Sequence, residues 1–281
     1  MGLKREILNK FLFFWGALKK FDSDHGFFLS AGITFNLLIC LVPLILLLLA
    51  IVGNYLYSDR QVLNHIRHYL ESVAPSLDPR IMRNILKVIQ GRKIVGVLGI
   101  GGLIWSSTWV FSSLRTALNM VFQVEKGRGI LRAKAVDLLM IFLAGLFHIA
   151  SMTLTSAFTV VRKYRFSAGV DPNPVLQWML KYVVPFFFTF GMFFLIYKIV
   201  PDRKIRLKSA FQAALFTSLL WEVAKQLFGW YVLHLGRFSA VYGSLGTLAI
   251  FFLWVYYSSA ILLLGGEVAF FLERDEDQVH G

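Results

Sequence analysis

The stretch LLWEVAKQLFGWY, Leu219–Tyr231, carries the residues with the plainest capacity for chemistry. Glu222 and Lys225 stand three positions apart, near the middle of an apolar run from Ser209 to Leu235. Projected at about 100° per residue, Ser218, Glu222, Lys225, Gln226 and Gly229 share one arc of a helix. An ionised side chain at the centre of a bilayer costs roughly 2.5–3.5 kcal/mol on insertion scales, and such residues mark substrate or ion paths by default. Two readings stay open at this level. Either the pair neutralises itself at i,i+3 spacing, or it faces a polar space used by a substrate.

Other apolar segments carry similar arcs. Gly32, Asn36, Cys40 and Pro43 form one; Thr108, Ser112, Arg115 and Asn119 form a second. Asp137, Gly145, His148, Ser151, Thr155 and Thr159 form a third; Tyr242, Ala249, Tyr256, Ala260 and Glu267 form a fourth. One arc of small and hydroxyl residues is ordinary helix–helix glue. Several arcs with ionisable groups among them point to a shared polar cavity. The candidate cavity residues are therefore Ser218, Glu222, Lys225, Gln226, His148, Arg115, Tyr242 and Glu267. Glu267 has a second possible place at the inner membrane face, because the acidic run ERDED follows six residues later.

His65, His68 and Glu71 fall on one helical face, yet no cysteine or second histidine pair completes a metal site. No phosphate loop, HExxH or G-x-S-x-G motif is present. A two-metal nuclease needs clustered carboxylates, and the one dense acidic cluster reads as a solvated tail. We expect no catalytic residues, no metal, no cofactor and no enzymatic activity.

The elements that must hold these residues are membrane helices. The chain has 281 residues, 57% hydrophobic and 16% charged, with a net charge of +13, whereas a soluble domain is about 25% charged. A spanning helix needs about 20 mostly apolar residues. Six segments qualify: 27–57, 94–113, 135–161, 175–200, 209–235 and 243–272. The second is marginal and glycine-rich (VGVLGIGG), and a re-entrant segment is its alternative reading. A separate short helix is expected around Arg115–Val124, before the charged hinge EKGRG (Glu125–Gly129). These runs are too uniformly apolar for barrel strands, which alternate.

The predicted class is thus an all-α integral membrane protein, a single membrane domain over 1–281 with six transmembrane helices plus amphipathic interfacial helices. Residues 1–26 read as an interfacial helix, with Ile7, Phe11, Phe14, Trp15 and Leu18 set against Lys4, Arg5, Lys10, Lys19 and Lys20. Residues 58–93 read as an extracytoplasmic loop of two amphipathic helices that offers a docking place for an envelope partner. With both termini cytoplasmic, Lys/Arg on the inner segments outnumber those outside. The positive charge is read as attraction to anionic lipid headgroups, not to nucleic acid. The single cysteine, Cys40, rules out an intrachain disulfide.

The last segment, VYGSLGTLAIFFLWVYYSSAILLLGGEVAFFLERDED, carries Tyr242-Gly243, Trp254-Val255-Tyr256 and Leu263-Leu264-Gly265-Gly266-Glu267. These runs closely resemble the C-terminal signature of the YihY/BrkB family, six-helix proteins of the bacterial inner membrane. The first segment agrees through its Ala-x-x-aromatic run ending in Leu41-Val42-Pro43-Leu44. The resemblance marks Pro43, Gly243, Trp254, Tyr256 and Gly265 as signature residues. It implies an inner-membrane location. Members have carried ribonuclease and virulence labels, and the resemblance further implies a link to envelope lipid handling. The expected function is a transporter or flippase for an anionic lipid or lipid-linked envelope component. The alternative is a non-transporting scaffold.

Overall fold

The computed structural model describes residues 2–56, 92–167, 182–235 and 238–280. Every regular element among them is a helix. They are α1 (Gly2–Ser23), α2 (Gly26–Leu56), α3 (Arg92–Val121), α4 (Ile130–Ser167), α5 (Val184–Ile199), α6 (Leu207–Leu235) and α7 (Phe238–His280). The expected helices of the 58–93 loop, with His65, His68 and Glu71, lie outside the described residues.

Among the described residues, four helices are long and apolar enough to cross a membrane: Gly26–Ile51, Lys93–Val121, Ile130–Leu154 and Gly246–Arg274. α5 is a shorter apolar helix. α6 has the length, 29 residues, but its glutamate, lysine, glutamine and serine residues keep it out of that set. The protein is an all-α membrane protein. Large apolar side chains stand exposed along α3 (Ile94, Val97, Leu98), α4 (Phe142, Leu146, Ile149) and α6 (Leu219, Val223, Leu227). A water-soluble surface rarely carries such continuous apolar faces; hydrocarbon is their natural solvent.

One boundary differs from expectation. α3 runs unbroken through Ser113 to Val121, so no separate helix begins at Arg115. Nothing between those positions breaks a helix. The stop comes at Gln123, which adopts the left-handed conformation at φ 52°. Its amide donates to the Met120 carbonyl at 3.0 Å, and the Val124 amide donates to that of Asn119 at 2.9 Å. This is a Schellman stop with glutamine where glycine is usual.

The described chain divides into two compact units. In the unit Phe35–Val110, α3 lays its glycines against α2. A methyl added at Gly99 would lie 3.0 Å from the Leu47 amide nitrogen, and one at Gly102 would lie 3.1 Å from Pro43 Cβ. Gly96 faces Ala50 in the same row. Glycine at every third position thus lets two backbones approach closely, the way small residues pack membrane helices.

The other unit joins Met1–Thr34 to Phe111–Gly281. There α7 packs on α1, α5 and α6, and α5 also packs on α4 and α6. Leu118, Phe122, Met140, Tyr197, Ile205 and Leu263 are fully buried at its centre. The α3–α4 connection and the α5–α6 connection meet at one end. Asn119 Nδ2 donates to Asp202 Oδ2 at 2.8 Å, and Arg128 donates to the Ile199 and Pro201 carbonyls at 3.0 and 2.7 Å. At the same end the Arg206 amide, where α6 begins, donates to the Glu273 carboxylate at 3.1 Å. A carboxylate there also complements the positive end of the helix dipole.

Candidate functional site

Three ionic assemblies on the described helices of the larger unit involve residues singled out from the sequence. The first is the pair that opened the sequence reading. Lys225 Nζ sits 2.6 Å from Glu222 Oε2, with both side chains about a third exposed (35% and 34%). The pair lies one helical flank away from the exposed row Leu219, Val223, Leu227 and Trp230. Gln226 is exposed between pair and row, whereas Ser218 is buried and bonds back to the Ala214 carbonyl at 2.7 Å. Beneath the pair, Trp254 of α7 packs on Trp221 and Phe228, with ring centroids 5.3 and 4.6 Å away. The polar arc therefore runs along a seam between a packed aromatic face and an apolar outer face.

The second assembly ties α3 to α4. Arg115 is buried and donates to Asp137 Oδ1, to the Ala133 carbonyl at 2.8 Å and to Ser112 Oγ at 3.2 Å. Lys134 Nζ lies 3.6 Å from the other Asp137 oxygen. Asp137, read from sequence as one of a stripe, is thus the partner of Arg115.

The third ties α1 to α7 and α3. Lys20 Nζ donates to Asp24 Oδ2 at 2.5 Å, to the Val121 carbonyl at 2.8 Å and to Glu267 Oε2 at 2.9 Å. The ring of Phe270 lies 4.2 Å from the same ammonium. Glu267 is completely buried, and its Oε1 has no hydrogen-bond partner.

The sequence-predicted residues therefore do not gather around one space among the described residues. Glu222 and Lys225 meet each other, Arg115 meets Asp137, and Glu267 meets Lys20. Glu267 lies where α7 meets α1 and α3, bonded to Lys20. His148 is exposed on α4 beside Ile149, not turned inward with Asp137. The side chain of Tyr242 lies outside the described residues. A concavity of about 460 Å³ opens at the end of α3, lined by Thr116, Asn119, Met120, Gln123, Val124 and Glu125; Asn119 comes from one of the polar arcs, and none of the eight candidate cavity residues lines it. Among the described residues, no three His, Cys, Asp or Glu side chains stand together as metal ligands would.

Four of the signature residues, Pro43, Trp254, Tyr256 and Gly265, make packing contacts. Gly265 lies against Thr217 Oγ1 and Tyr197 Oη, both of which a side chain there would overlap. The Tyr197 hydroxyl donates to the Leu262 carbonyl at 2.7 Å and lies 2.9 Å from Thr217 Oγ1. Gly266 faces Leu118 of α3. The run Gly265-Gly266-Glu267 thus meets α5, α6, α3 and α1 in three consecutive residues. Tyr256 stacks with Phe27 at 6.4 Å, and Pro43 faces Gly102. Gly243 lies within the first turns of α7.

Residues 17–281 match the family described as Virulence factor BrkB. The chain belongs to that family. Related BrkB-like sequences are membrane proteins by name. A UPF0761 membrane protein of Haemophilus influenzae (strain 86-028NP) is 25% identical over 275 residues, 95% of this chain and 96% of that protein. Another, of Glaesserella parasuis serovar 5 (strain SH0165), is 29% identical over 210 residues, covering 73% and 72% of the two chains. A third, of Rhodospirillum centenum, is 28% identical over 256 residues, but this chain spans only 55% of its length. No solved structure matches. Within the BrkB family, the Gly-Gly-Glu run acquires a physical reading here: two close backbone approaches and one buried ion pair.

Sequence reasoning missed Lys20, Asp24, Tyr197, Thr217 and Asp202. Lys20 had been assigned to the solvated face of an interfacial helix. The only hint otherwise is that its neighbours Ala17 and Phe21 are apolar at helical spacing, which puts Lys20 on their face.

Proposed function

We propose that this chain is an inner-membrane translocator of an anionic amphiphile, a phospholipid or a lipid-linked envelope precursor. It carries no catalytic site, and both termini are cytoplasmic. The observation that carries the reading is the part-exposed Glu222–Lys225 pair beside an apolar outer row. A headgroup moving along such a seam keeps its acyl chains in lipid while its phosphate meets Lys225. Glu222 holds Lys225 when the seam is empty, so the lysine never stands uncompensated in hydrocarbon. Each lysine or arginine near the headgroups adds about 1 kcal/mol of attraction for anionic lipid. The gathering of Arg128, Arg206 and Lys20 at one end favours that end as the cytoplasmic one.

The test is headgroup-labelled phospholipid translocation in proteoliposomes. Lys225→Met should slow translocation at least tenfold while the helical circular dichroism and elution volume stay unchanged. Glu222→Gln removes the resting partner of Lys225 and should change the translocation rate of an anionic headgroup more than that of a neutral one. Full-rate translocation by well-folded Lys225→Met rejects the reading. The self-satisfied geometry of the pair, 2.6 Å apart, favours one rival, an envelope scaffold whose docking element is the 58–93 loop. Under that reading, deleting the loop abolishes recovery of an envelope partner, and Lys225→Met changes nothing.

A further inference from the structure

The junction of α1 and α7 holds one more anion than cation. Lys20 spends all three ammonium hydrogens on Asp24, the Val121 carbonyl and Glu267. Two carboxylates thus share one lysine. Their surroundings are unequal: the Asp24 side chain is 20% exposed and the Glu267 side chain is 0% exposed. Asp24 has solvent for its surplus charge. Glu267 has none, and its Oε1 meets no donor.

The neighbouring elements do not make up the deficit. On α3, Arg115 is committed to Asp137, and Val121 offers only a carbonyl. On α7, Glu273 bonds the Arg206 amide and Arg274 lies over the Phe271 ring. On α5 and α6, Tyr197 and Thr217 are uncharged and bonded to each other or to backbone. Of the described cations, Lys20 is the one placed on Glu267. A buried anion without a full set of partners is costly, and accepting a proton is the ordinary relief.

We propose that Glu267 is a proton-binding site, and that uptake of one proton at Oε1 releases Lys20 and loosens α1 from α7. The ligand is a proton from the aqueous end of the bundle, which reaches the site through the part-exposed Lys20 and Asp24. A new O–H bond forms on the carboxyl, its charge falls to zero, and the ammonium keeps Asp24 as its only anionic partner. α1 then rests on α7 mainly through aromatic packing, as in Phe13 on Phe271 at 5.8 Å. This inference is independent of the translocation reading, because it concerns the Lys20–Glu267 junction, involves neither Glu222 nor Lys225, and is read without substrate.

The experiment uses the full chain in nanodiscs with Cys40→Ala, which removes the only native thiol. Nitroxide pairs at Leu18→Cys and Tyr257→Cys, both on exposed positions, report the α1–α7 distance through a pH titration spanning neutrality. A longer-distance population should appear on acidification in the parent and be absent as a titrating component in Glu267→Gln. Asp24→Asn tests the charge count in a chain that keeps the buried carboxyl. It restores one anion per cation, so release should move to more acid pH by about one unit or more. Infrared difference spectra of the parent should show a protonated-carboxyl band that Glu267→Gln lacks. A distance unchanged across the titration in the parent overturns the proposal. So does an unaltered titration in Glu267→Gln or in Asp24→Asn.

Discussion

Replacing Gly265 with alanine puts a methyl group where the Tyr197 and Thr217 hydroxyls already stand, with Thr217 Cβ only 3.0 Å away. All of these atoms are buried, and Tyr197 and Thr217 are both 0% exposed. The side chains cannot rotate out of the way without abandoning the contacts to the Leu262 carbonyl, 2.7 Å, and the Ala213 carbonyl, 2.7 Å. Overpacking a tight interior costs about 1–3 kcal/mol, and leaving a buried hydroxyl unsatisfied costs about 1–3 kcal/mol more. We expect Gly265→Ala to lose about 2–6 kcal/mol, summing those two effects. The assay is an SDS-titration unfolding curve followed by tryptophan fluorescence in mixed micelles. Two comparisons make it specific. Gly229→Ala, on α6 with nothing within 4 Å of the new methyl, should be neutral or gain up to about 1 kcal/mol from helix propensity. In a Tyr197→Phe, Thr217→Ala background the colliding oxygens are gone, so the cost of Gly265→Ala should fall by about 1.5 kcal/mol or more, a coupling typical of residues in contact. Equal cost in both backgrounds would refute the collision argument.

Gly99→Ala should destabilise by about 1–3 kcal/mol because the new methyl meets Leu47 backbone at 3.0 Å. Gly101→Ala, two residues away and facing open space, should not destabilise in the same unfolding titration. Arg115→Met leaves the 1% exposed Asp137 without its main partner and should cost about 3–5 kcal/mol. Adding Asp137→Leu should recover much of that loss, and a double variant weaker than the single one contradicts the pairing. Arg128→Ala removes the bonds to Ile199 and Pro201 that hold the EKGRG connection. A glutamate-specific protease should then cleave after Glu125 several-fold faster, and an unchanged rate rules out the lock.

Hydrophobic run length was enough to place most helices, because lipid enforces helical hydrogen bonding wherever a long apolar run crosses it. It failed at helix ends. A hydropathy reading stops at the first charge, so Arg115 looked like the start of something new, whereas a buried ion pair with Asp137 carries α3 onward. The glycines of VGVLGIGG weakened that segment as a predicted span. Their spacing at Gly96, Gly99 and Gly102 becomes meaningful only beside Ala50, Leu47 and Pro43, some fifty positions earlier. The same holds for Lys20 and Glu267, which stand 247 positions apart. Each looks like a surface or cavity charge alone, and only the fold reveals that one answers the other. Glu222 and Lys225 were legible because their contact is local to one helix turn. His148 is exposed on α4; an arc of polar residues does not by itself say which arc packs against neighbouring helices.

α7 is 43 residues in one unbroken helix, about 64 Å of rod at 1.5 Å per residue. A hydrocarbon core is about 30 Å thick, so more than half of the rod's length lies outside it. A rod that long ordinarily accommodates a thinner or thicker bilayer by leaning. Here Gly265, Gly266 and Glu267 fasten it to four other helices within a single turn, so it has little freedom to lean alone. In short-chain or long-chain lipids α7 should therefore adjust together with the helices it is fastened to, by tilt of the packed unit or by deformation of the membrane around it. The stability of that unit should peak at one acyl-chain length.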